Sequence, residues 1–376
     1  MSEPAVTDRL FHETAVENSL RAAERLSDDA WARLKEHPEK FRVLTGDRPT
    51  GALHLGHYFG SLQRRVEVQS RGVQTWLLLA DYQALTDRAG SVDLQESMAD
   101  IVLDYIAVGI DVQSDRGLAF RHSQVPELNQ LMLPFLSLVS VSEIERNPTV
   151  KSEIETLGSG HVTGLMFNYP VHQAADILFC KATVVPVGRD QLPHLELTRT
   201  IARRFNERYQ PVFPLPDGLL GEAPSLPGLD GRKMSKSLNN AIALSDGPDV
   251  VAAKIRSART DGEREISYEP ERRPEVANLL TLAALCSGTD PISLAGQVGG
   301  GGGAGLKQLA IDAVNTFLTP LRARRAQYDE ADAARLLATG AARANRIADQ
   351  TLSEVTVAMG MNHRPPVSSP QGMPVG

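Results

Sequence analysis

The segment TGDRPTGALHLGHYFGS, residues 45–61, follows a short apolar run and indicates how this part of the chain folds. The run FRVLT, residues 41–45, has the composition of a buried strand that ends at Thr45. Residues 46–51 are turn material, and we expect a helix to begin near His57. A glycine-rich turn between a strand and a helix presents backbone N–H groups that bind anions. The segment therefore predicts an anion site at the end of a strand.

The side chains of this segment suggest which anion. Gly46 and Gly51 are spaced as in a phosphate-binding P-loop, but the P-loop lysine does not follow. His54 and His57 come next, with Gly56 between them, and imidazoles can donate hydrogen bonds to phosphate oxygens. Taken alone, the pattern fits a site for phosphates and adenine no better than it fits two ordinary histidines at a helix start.

Similar apolar runs recur along the chain and set the fold class. TWLLLAD (residues 75–81), GLAF (117–120) and TVVPVG (183–188) alternate with longer amphipathic segments. This alternation predicts an α/β fold with a parallel sheet between helices. From residue 246 to about residue 359 the pattern is helical, and we expect the glycines at 299–303 to form a flexible loop.

Residues 1–40 are polar and their pattern predicts helix. A capped helix start is expected at Ser27, and the apolar residues of one face are Leu20, Ala23, Leu26, Trp31 and Leu34. The tail from residue 362 is rich in proline, serine and glycine, so we expect disorder there.

Composition narrows the function classes. The 376 residues suggest two domains or three, and the net charge of −7 argues against indiscriminate nucleic-acid binding while leaving room for a local basic face. Cys180 and Cys286 form no CxxC pair, so zinc and disulfides lack support. No apolar run reaches membrane-spanning length and the acidic N-terminus is unlike a secretory signal, which predicts a cytoplasmic protein without a membrane partner.

A second segment changes the interpretation of the two histidines. GLDGRKMSKSLNNAI, residues 228–242, places Lys233 and Lys236 in a loop rich in glycine and asparagine. Such a loop can close over a polyphosphate, although most charged loops are simply solvated. HLGH and KMSKS together are a rare pair, and with them the chain resembles the class I aminoacyl-tRNA synthetases. The resemblance implies a Rossmann-like parallel-sheet catalytic domain, an α-helical C-terminal domain, and amino-acid adenylation with ATP.

A third segment indicates the amino acid. YPVHQAADILFCKATVVPVGRDQLPHLELTRTIARRFN, residues 169–206, closely resembles the bacterial tryptophanyl-tRNA synthetases. Shorter matches are ERNPTVKSE at 145–153, AKIRSARTD at 253–261 and GAARANRIA at 340–348. The resemblance covers about residues 41–359 and implies L-tryptophan, ATP and tRNA(Trp) as partners, Mg²⁺ carried on the ATP phosphates, and a homodimer.

The resemblance also implies roles for individual residues. Asp176 would accept the indole N–H, which phenylalanine lacks, so this buried acceptor would select tryptophan. The other tryptophan-binding residues would be Tyr169, Gln173, Val185, Val187 and Gln191. His54, His57, Lys233 and Lys236 would be catalytic through phosphate contacts. The ATP site would add Arg48, Thr50, Gly56, Lys151, Gly188, Asp190, Met234 and Ser235, and no protein metal site is expected.

Two departures from the family pattern concern ATP. Many bacterial members carry glutamine in the first loop, where this chain has Arg48, and threonine and asparagine where it has His54 and His57. The family's KxK is here Lys151-Ser152-Glu153, so one lysine is missing. We expect Arg48 to compensate, because a guanidinium binds phosphate through two hydrogen bonds.

The resemblance divides the chain into a helical extension (1–40), the catalytic domain (41–244), a helical tRNA and anticodon domain (245–359) and a disordered tail (360–376). The last helix of the third region should pack back on the catalytic domain. Local positive charge for tRNA would come from Lys254, Arg256, Arg259, Arg322, Arg324, Arg325, Arg335, Arg343 and Arg346.

Three other functions stay open at this point. Archaeal and eukaryotic tyrosyl-tRNA synthetases share HxGH and a QAxDI-like segment, but they usually carry a double glycine before DQ, where this chain has Gly188-Arg189. A small adenylyltransferase uses HxGH without needing KMSKS. A catalytically inactive paralogue would bind tRNA or protein without turning over ATP.

Overall fold

A computed structural model describes residues 5–86, 94–157, 162–220 and 226–361, except residues 233, 235–237 and 239. Five parallel strands form one sheet in the order β3-β2-β1-β4-β5. They are β1 (Arg42–Asp47), β2 (Gln74–Leu79), β3 (Gly117–Arg121), β4 (Val184–Val187) and β5 (Asp217–Leu220). The predicted α/β fold with a Rossmann-like sheet and a helical region is confirmed.

The strand order places a reversal at the middle of the sheet. From β1 the chain adds β2 and β3 on one side, then returns to add β4 and β5 on the other, with Val43 opposite Val184. The strands that sequence reasoning predicted are present, and β1 runs two residues past Thr45, through Asp47. Strand β5 was missed, because DGLL is short and begins with two residues disfavoured in strands.

Fourteen helices are defined within the described residues. They are α1 (Ala5–Glu36), α2 (Leu55–His57), α3 (Gln63–Ser70), α4 (Leu94–Val108), α5 (Glu127–Leu136), α6 (Val141–Glu145), α7 (Pro148–Leu157), α8 (Gly164–Leu178), α9 (Leu192–Arg208), α10 (Pro248–Ser257), α11 (Pro274–Ser287), α12 (Pro291–Val298), α13 (Gly302–Arg325) and α14 (Glu330–Ala358). A π-helical turn, Tyr58–Leu62, joins α2 to α3. The helix after β1 therefore begins at Leu55, two residues before the predicted start.

The chain forms two compact units that are each discontinuous in sequence. The first unit comprises residues 1–124, 183–192 and 217–342, and the second comprises 125–182, 193–216 and 343–376. The whole sheet lies in the first unit, and α14 contributes residues to both. The domain boundaries predicted from the sequence stay predictions.

Helix α1 packs on the β5 side of the sheet. Ala30 and Leu34 are fully buried against Val43, Val184 and Leu219. The Ser27 hydroxyl accepts a hydrogen bond from the Leu220 N–H at 2.9 Å, and Arg33 pairs with Asp217 at 2.6 Å. The predicted helix start at Ser27 is thus wrong, because its hydroxyl serves β5 instead of a cap. Leu26 is 48% exposed and does not belong to the buried face.

The second unit has its own aromatic centre. Phe135 of α5, Phe205 of α9 and Phe213 contact one another edge to face, with centroids 5.1 to 5.4 Å apart. The end of α14 is tied to the chain after α8, since the Thr351 hydroxyl donates to the Phe179 carbonyl at 2.7 Å.

The glycine run is ordered. Gly299 and Gly302 have positive φ angles of 49° and 62°, which glycine adopts without strain. The Gly299 carbonyl accepts from the Ile266 N–H, and the Gly302 N–H donates to the Arg264 carbonyl, both at 2.9 Å. The predicted flexible loop is therefore wrong: these residues form a short turn into α13.

Among the described helices, no single helix is long and apolar enough to span a bilayer. One pair of helical segments, α11 and Pro291–Arg325, has the length and composition when taken together, but the two are bent by 110°.

Candidate active site

The carboxyl ends of β1 and β4 define the candidate ATP site. These strands are neighbours, and the strand order reverses between them. Nucleotides bind in the crevice that such a reversal leaves. The HLGH residues follow β1, and Gly188 follows β4 and begins the turn Arg189–Gln191. Two groups of predicted ATP residues, far apart in sequence, therefore follow β1 and β4, the two strands between which the strand order reverses.

The two histidines form a defined pair. Their rings stack with centroids 3.7 Å apart, and His54 is 7% exposed. The His54 backbone N–H donates to His57 Nδ1 at 3.2 Å. Because Nδ1 accepts this bond, the proton of a neutral His57 ring is on Nε2. His57 can therefore offer an Nε2–H donor to a phosphate oxygen.

Gly56 brings the two signature motifs into contact. A Cβ atom at this position would lie 3.0 Å from His54 Cε1 and 3.2 Å from Met234 Sδ, closer than side chains normally approach. Met234 is 6% exposed. The ring that lies against Gly56 is that of His54, with Met234 beside it. The other KMSKS residues named above, Lys233, Ser235 and Lys236, lie outside the described residues.

Backbone hydrogen bonds join the segments that carry the two motifs. The Leu244 N–H donates to the Leu53 carbonyl at 2.9 Å, and the Leu55 N–H donates to the Ile242 carbonyl at 3.0 Å. We call residues 53–55 and 242–244 the signature pair. These two bonds fix the backbone of one segment relative to the backbone of the other.

A buried ion pair behind this site was missed by sequence reasoning. Arg65 of α3 binds both carboxylate oxygens of Asp47 at the end of β1, and the Tyr105 hydroxyl donates to Asp47 at 2.5 Å. Burial raises the pKa of Asp47, but Arg65 and Tyr105 outweigh it, and the net pKa is lowered. Burial strongly raises the pKa of Tyr105. Asp47 therefore stays ionised, and its charge is matched by Arg65. The sequence did offer a hint, since Asp47 follows the predicted strand end at Thr45 by two residues.

The remaining predicted ATP residues lie in different surroundings. Arg48 and Thr50 are exposed in the loop after β1, where the Thr50 N–H donates to the Arg48 carbonyl at 2.7 Å. Lys151 belongs to α7 in the second unit, exposed and 3.9 Å from Glu155. Asp190 lies in the turn after β4, and its side chain is outside the described part.

The predicted tryptophan residues divide between the units. Val185, Val187 and Gln191 lie on or after β4 in the first unit. Tyr169, Gln173 and Asp176 lie on α8 in the second unit, at spacings of four and three residues that place them on one helix face. Asp176 is 2% exposed, so its carboxylate is a buried acceptor, and a ring nitrogen of His172 on the same helix lies within 4.8 Å of it.

Two further residues orient Tyr169 and were missed. Asn147 Nδ2 lies 3.4 Å from His194 Nδ1, and His194 Nε2 lies 3.3 Å from the Tyr169 hydroxyl. The amide donates to Nδ1, so neutral His194 carries its proton on Nε2 and donates to the tyrosine oxygen. The Tyr169 proton is then not used in this bond. Asn147 lies in the family-like segment ERNPTVKSE and His194 in the segment at 169–206, so the sequence did offer a hint of their role.

The basic residues of the C-terminal helices are largely engaged within the chain. Lys254 pairs with Asp246 at 2.6 Å, and Arg325 binds Asp104 at 3.1 Å. Arg324 donates to the Ala107 carbonyl at 2.7 Å, and Arg322 to the Asp246 carbonyl at 2.9 Å. These four residues therefore bond helices and loops of the first unit to one another, and their expected contribution to tRNA binding stays a prediction.

Comparison with known proteins decides the family. The sequence profile described as tRNA synthetases class I (W and Y) matches residues 35–319. The chain belongs to this family. The synthetase is 43% identical over 341 residues to the tryptophan–tRNA ligase of Treponema pallidum, covering 88% of this chain and 99% of that one. It is also 43% identical to the ligase of Streptococcus pyogenes serotype M1, covering 85% and 98%.

Solved structures agree. The tryptophanyl-tRNA synthetase of Campylobacter jejuni complexed with ADP and tryptophan is 29% identical, with a TM-score of 0.74, covering 85% of this synthetase and 99% of that chain. The enzyme of Mycoplasma pneumoniae is 28% identical, with a TM-score of 0.68, covering 86% and 98%. The resemblance to bacterial tryptophanyl-tRNA synthetases is confirmed, and the tyrosyl, adenylyltransferase and inactive alternatives are not favoured.

Proposed function

We propose that this synthetase activates L-tryptophan with ATP to tryptophanyl-adenylate and then transfers the tryptophanyl group to tRNA(Trp). The observation that carries the proposal is Asp176, a carboxylate 2% exposed on the face of α8 that also holds Tyr169 and Gln173. Indole offers one donor and no acceptor, so one buried acceptor suits it. A substrate without that donor would fill the pocket but forgo this hydrogen bond, which gives discrimination.

The first step needs no general base, because the tryptophan carboxylate is already ionised at neutral pH. A carboxylate oxygen attacks the α-phosphorus of ATP, the bond from that phosphorus to the bridging oxygen breaks, and pyrophosphate leaves with the electron pair. The chain's residues contribute position and charge stabilisation. His57 offers its Nε2–H, the turn after β1 offers backbone N–H groups, and Lys233 and Lys236 would bind the leaving pyrophosphate.

Magnesium enters this scheme as part of the substrate, Mg·ATP. The predicted phosphate-binding side chains are imidazoles and lysines, and the carboxylates at the signature pair, Asp104 and Asp246, accept hydrogen bonds from its backbone N–H groups. Asp47, the carboxylate at the end of β1, is engaged by Arg65 and Tyr105. The phosphates themselves supply the oxygen ligands that Mg²⁺ prefers.

The second step transfers the acyl group from the adenylate to the terminal ribose of the tRNA, with AMP as the leaving group. We infer that the chain binds tRNA through its C-terminal helices, works as a homodimer and acts in the cytoplasm, all on the strength of the family resemblance. Light scattering on the purified protein tests the dimer directly. A mass near twice 40.8 kDa supports the dimer, and a mass near 40.8 kDa contradicts it.

The proposed activity is tested by ATP–pyrophosphate exchange with each of the twenty amino acids in turn. Exchange with tryptophan alone is expected, because only indole matches the Asp176 acceptor. Exchange with tyrosine would overturn the specificity but keep the chemistry. Folded protein with Mg²⁺ and no exchange with any amino acid would indicate a binding paralogue.

A further inference from the structure

Asp104 is a buried carboxylate that the proposed chemistry does not use. It lies on α4 with its side chain fully buried. Its Oδ2 atom accepts a hydrogen bond from the Leu53 backbone N–H at 2.8 Å. Leu53 directly precedes His54, so this bond fixes the backbone at the entry to the HLGH motif. Bonds from a carboxylate to a backbone N–H are among the stronger hydrogen bonds in proteins.

The other oxygen of Asp104 faces the C-terminal helical region. Arg325, the last residue of α13, donates from Nε to Asp104 Oδ1 at 3.1 Å and from Nη2 to Asp100 Oδ1 at 2.5 Å. Three residues from distant parts of the sequence thus form one series of bonds, which we call the Arg325–Asp104–Leu53 series. A buried ion pair adds little net stability compared with apolar packing. We therefore infer the role of this pair from what it holds in place.

The same end of α13 also holds the second member of the signature pair. Arg322, one turn before Arg325, donates to the Asp246 carbonyl at 2.9 Å. The Asp246 carboxylate in turn accepts from the Ala243 N–H at 2.8 Å and from Lys254 Nζ at 2.6 Å. The end of α13 is therefore linked to both segments of the signature pair, to one through Asp104 and to the other through Asp246.

We propose that Asp104 and Arg325 are positioning residues for ATP: through the Leu53 N–H they hold His54 and the signature pair in the arrangement that binds the phosphates. This inference rests on the proposed function, because it assigns the bound phosphates to ATP. It adds a role for the C-terminal helical region that does not involve tRNA, since α13 sets the geometry of the motif from behind.

The expected consequence is a selective loss of ATP affinity. Without the carboxylate the Leu53 N–H loses a charged acceptor, and the loop that carries His54 gains freedom that ATP binding must then remove. The predicted tryptophan residues on α8 belong to the second unit. We expect the dissociation constant for Mg·ATP to rise about tenfold, equivalent to ~1.4 kcal/mol, and the KM for tryptophan to change less than about twofold.

The test uses Asp104→Asn, Arg325→Gln and the double variant. Calorimetry with the α,β-methylene analogue of ATP and Mg²⁺ measures binding without turnover, and pyrophosphate exchange gives both KM values. Arg324→Gln is the matched control: it removes an equivalent bond from α13 to α4, to the Ala107 carbonyl, without touching Asp104. Asp100→Asn is the second control, because Asp100 shares Arg325 but has no bond to Leu53 in the described structure.

The proposal predicts that both single variants weaken the analogue about tenfold, that the double variant is no worse than the weaker-binding single one, and that both controls stay within about twofold. Equal losses for ATP and tryptophan, or normal analogue binding with a lowered Tm, would show a merely structural role and overturn it. If Asp104→Asn does not fold, Arg325→Gln against Arg324→Gln decides the question. Normal analogue binding by the wild type without exchange would count against the proposed function alone.

Discussion

Different chemistry surrounds two sets of predicted residues: those for ATP in the first unit, which we call the ATP half, and those for tryptophan on α8 in the second unit, which we call the tryptophan half. In the first unit, buried charges are matched by charges, as in Asp47 with Arg65 and Asp104 with Arg325. In the second unit, Tyr169 is oriented by a neutral series from Asn147 through His194. A polyphosphate needs donors fixed in space against a large negative charge. Tryptophan needs one acceptor for the indole N–H, which the Asp176 carboxylate would supply. It also needs donors of defined direction, which neutral groups supply without a second desolvation cost.

The two halves also differ in how the chain supplies them. The phosphate residues of the signature pair come from segments held by backbone hydrogen bonds and tied to α4 and α13. The residues for tryptophan on α8 take their spacing from one regular helix. If the comparison is right, substitutions in one half should leave the ligand of the other half almost unaffected.

The largest effect is expected from Asp176→Ala. The indole N–H would be buried without an acceptor, so kcat/KM for tryptophan should fall about 10³-fold, roughly 4 kcal/mol. Pyrophosphate exchange measures this loss, and calorimetry with the ATP analogue should give an unchanged affinity. A parallel loss of analogue binding would mean that the halves are not separable.

The next effect concerns stability against pH and probes the charged half. Burial raises the pKa of Asp104 from 3.8 to about 6, against the opposing influence of Arg325 and the Leu53 N–H. The folded chain thus holds a proton that the unfolded chain has lost, so this carboxyl stabilises the fold below pH 4 and that contribution disappears as the pH rises through 6. Relative to Asp104→Asn, the wild type should lose about 2 kcal/mol between pH 4 and 7.

Denaturant unfolding of both chains across that pH range measures the difference. Asp100→Asn serves as the control, since Asp100 shares Arg325 but its side chain is 35% exposed. A constant difference between wild type and Asp104→Asn at all pH values would contradict the argument.

Arg48→Gln should produce a smaller and selective effect. Loss of a guanidinium that compensates for the missing lysine at 153 should weaken Mg·ATP about tenfold, ~1.4 kcal/mol, with tryptophan binding nearly unchanged. Arg189→Gln is a suitable control, because Arg189 follows β4 but pairs with Glu24 of α1 at 2.8 Å. Equal weakening of both substrates by Arg48→Gln would refute the compensation.

The smallest effect is expected from the neutral series that orients Tyr169. His194→Phe keeps a ring beside Tyr169 but removes the bond that directs its hydroxyl, so the KM for tryptophan should rise about fivefold, ~1 kcal/mol. Asn147→Ala should act in the same direction and less strongly. An unchanged KM for tryptophan with a raised KM for ATP would reverse the assignment of this series.

Sequence reasoning reached the fold class and the family, because both depend on local patterns: apolar runs, HLGH, KMSKS and the segment at 169–206. It missed interactions between residues far apart in sequence. Asp104 and Arg325 are separated by 221 positions, and nothing in either local segment indicates that they meet. The order of the glycine run was missed for the same reason, since its partners are Arg264 and Ile266. Strand β5 depends on α1 and β4 for its burial.

The cover that α1 provides over β5 has a practical consequence. β5 is the last strand of the sheet, where unpaired backbone groups invite pairing with other chains. Ser27 satisfies the Leu220 N–H there, and Ala30 and Leu34 shield Leu219. A recombinant chain shortened to the family match at residue 35 would lose all three residues. Its bare sheet edge would be a template for aggregation, so the extension acts as a built-in solubility device for the catalytic sheet.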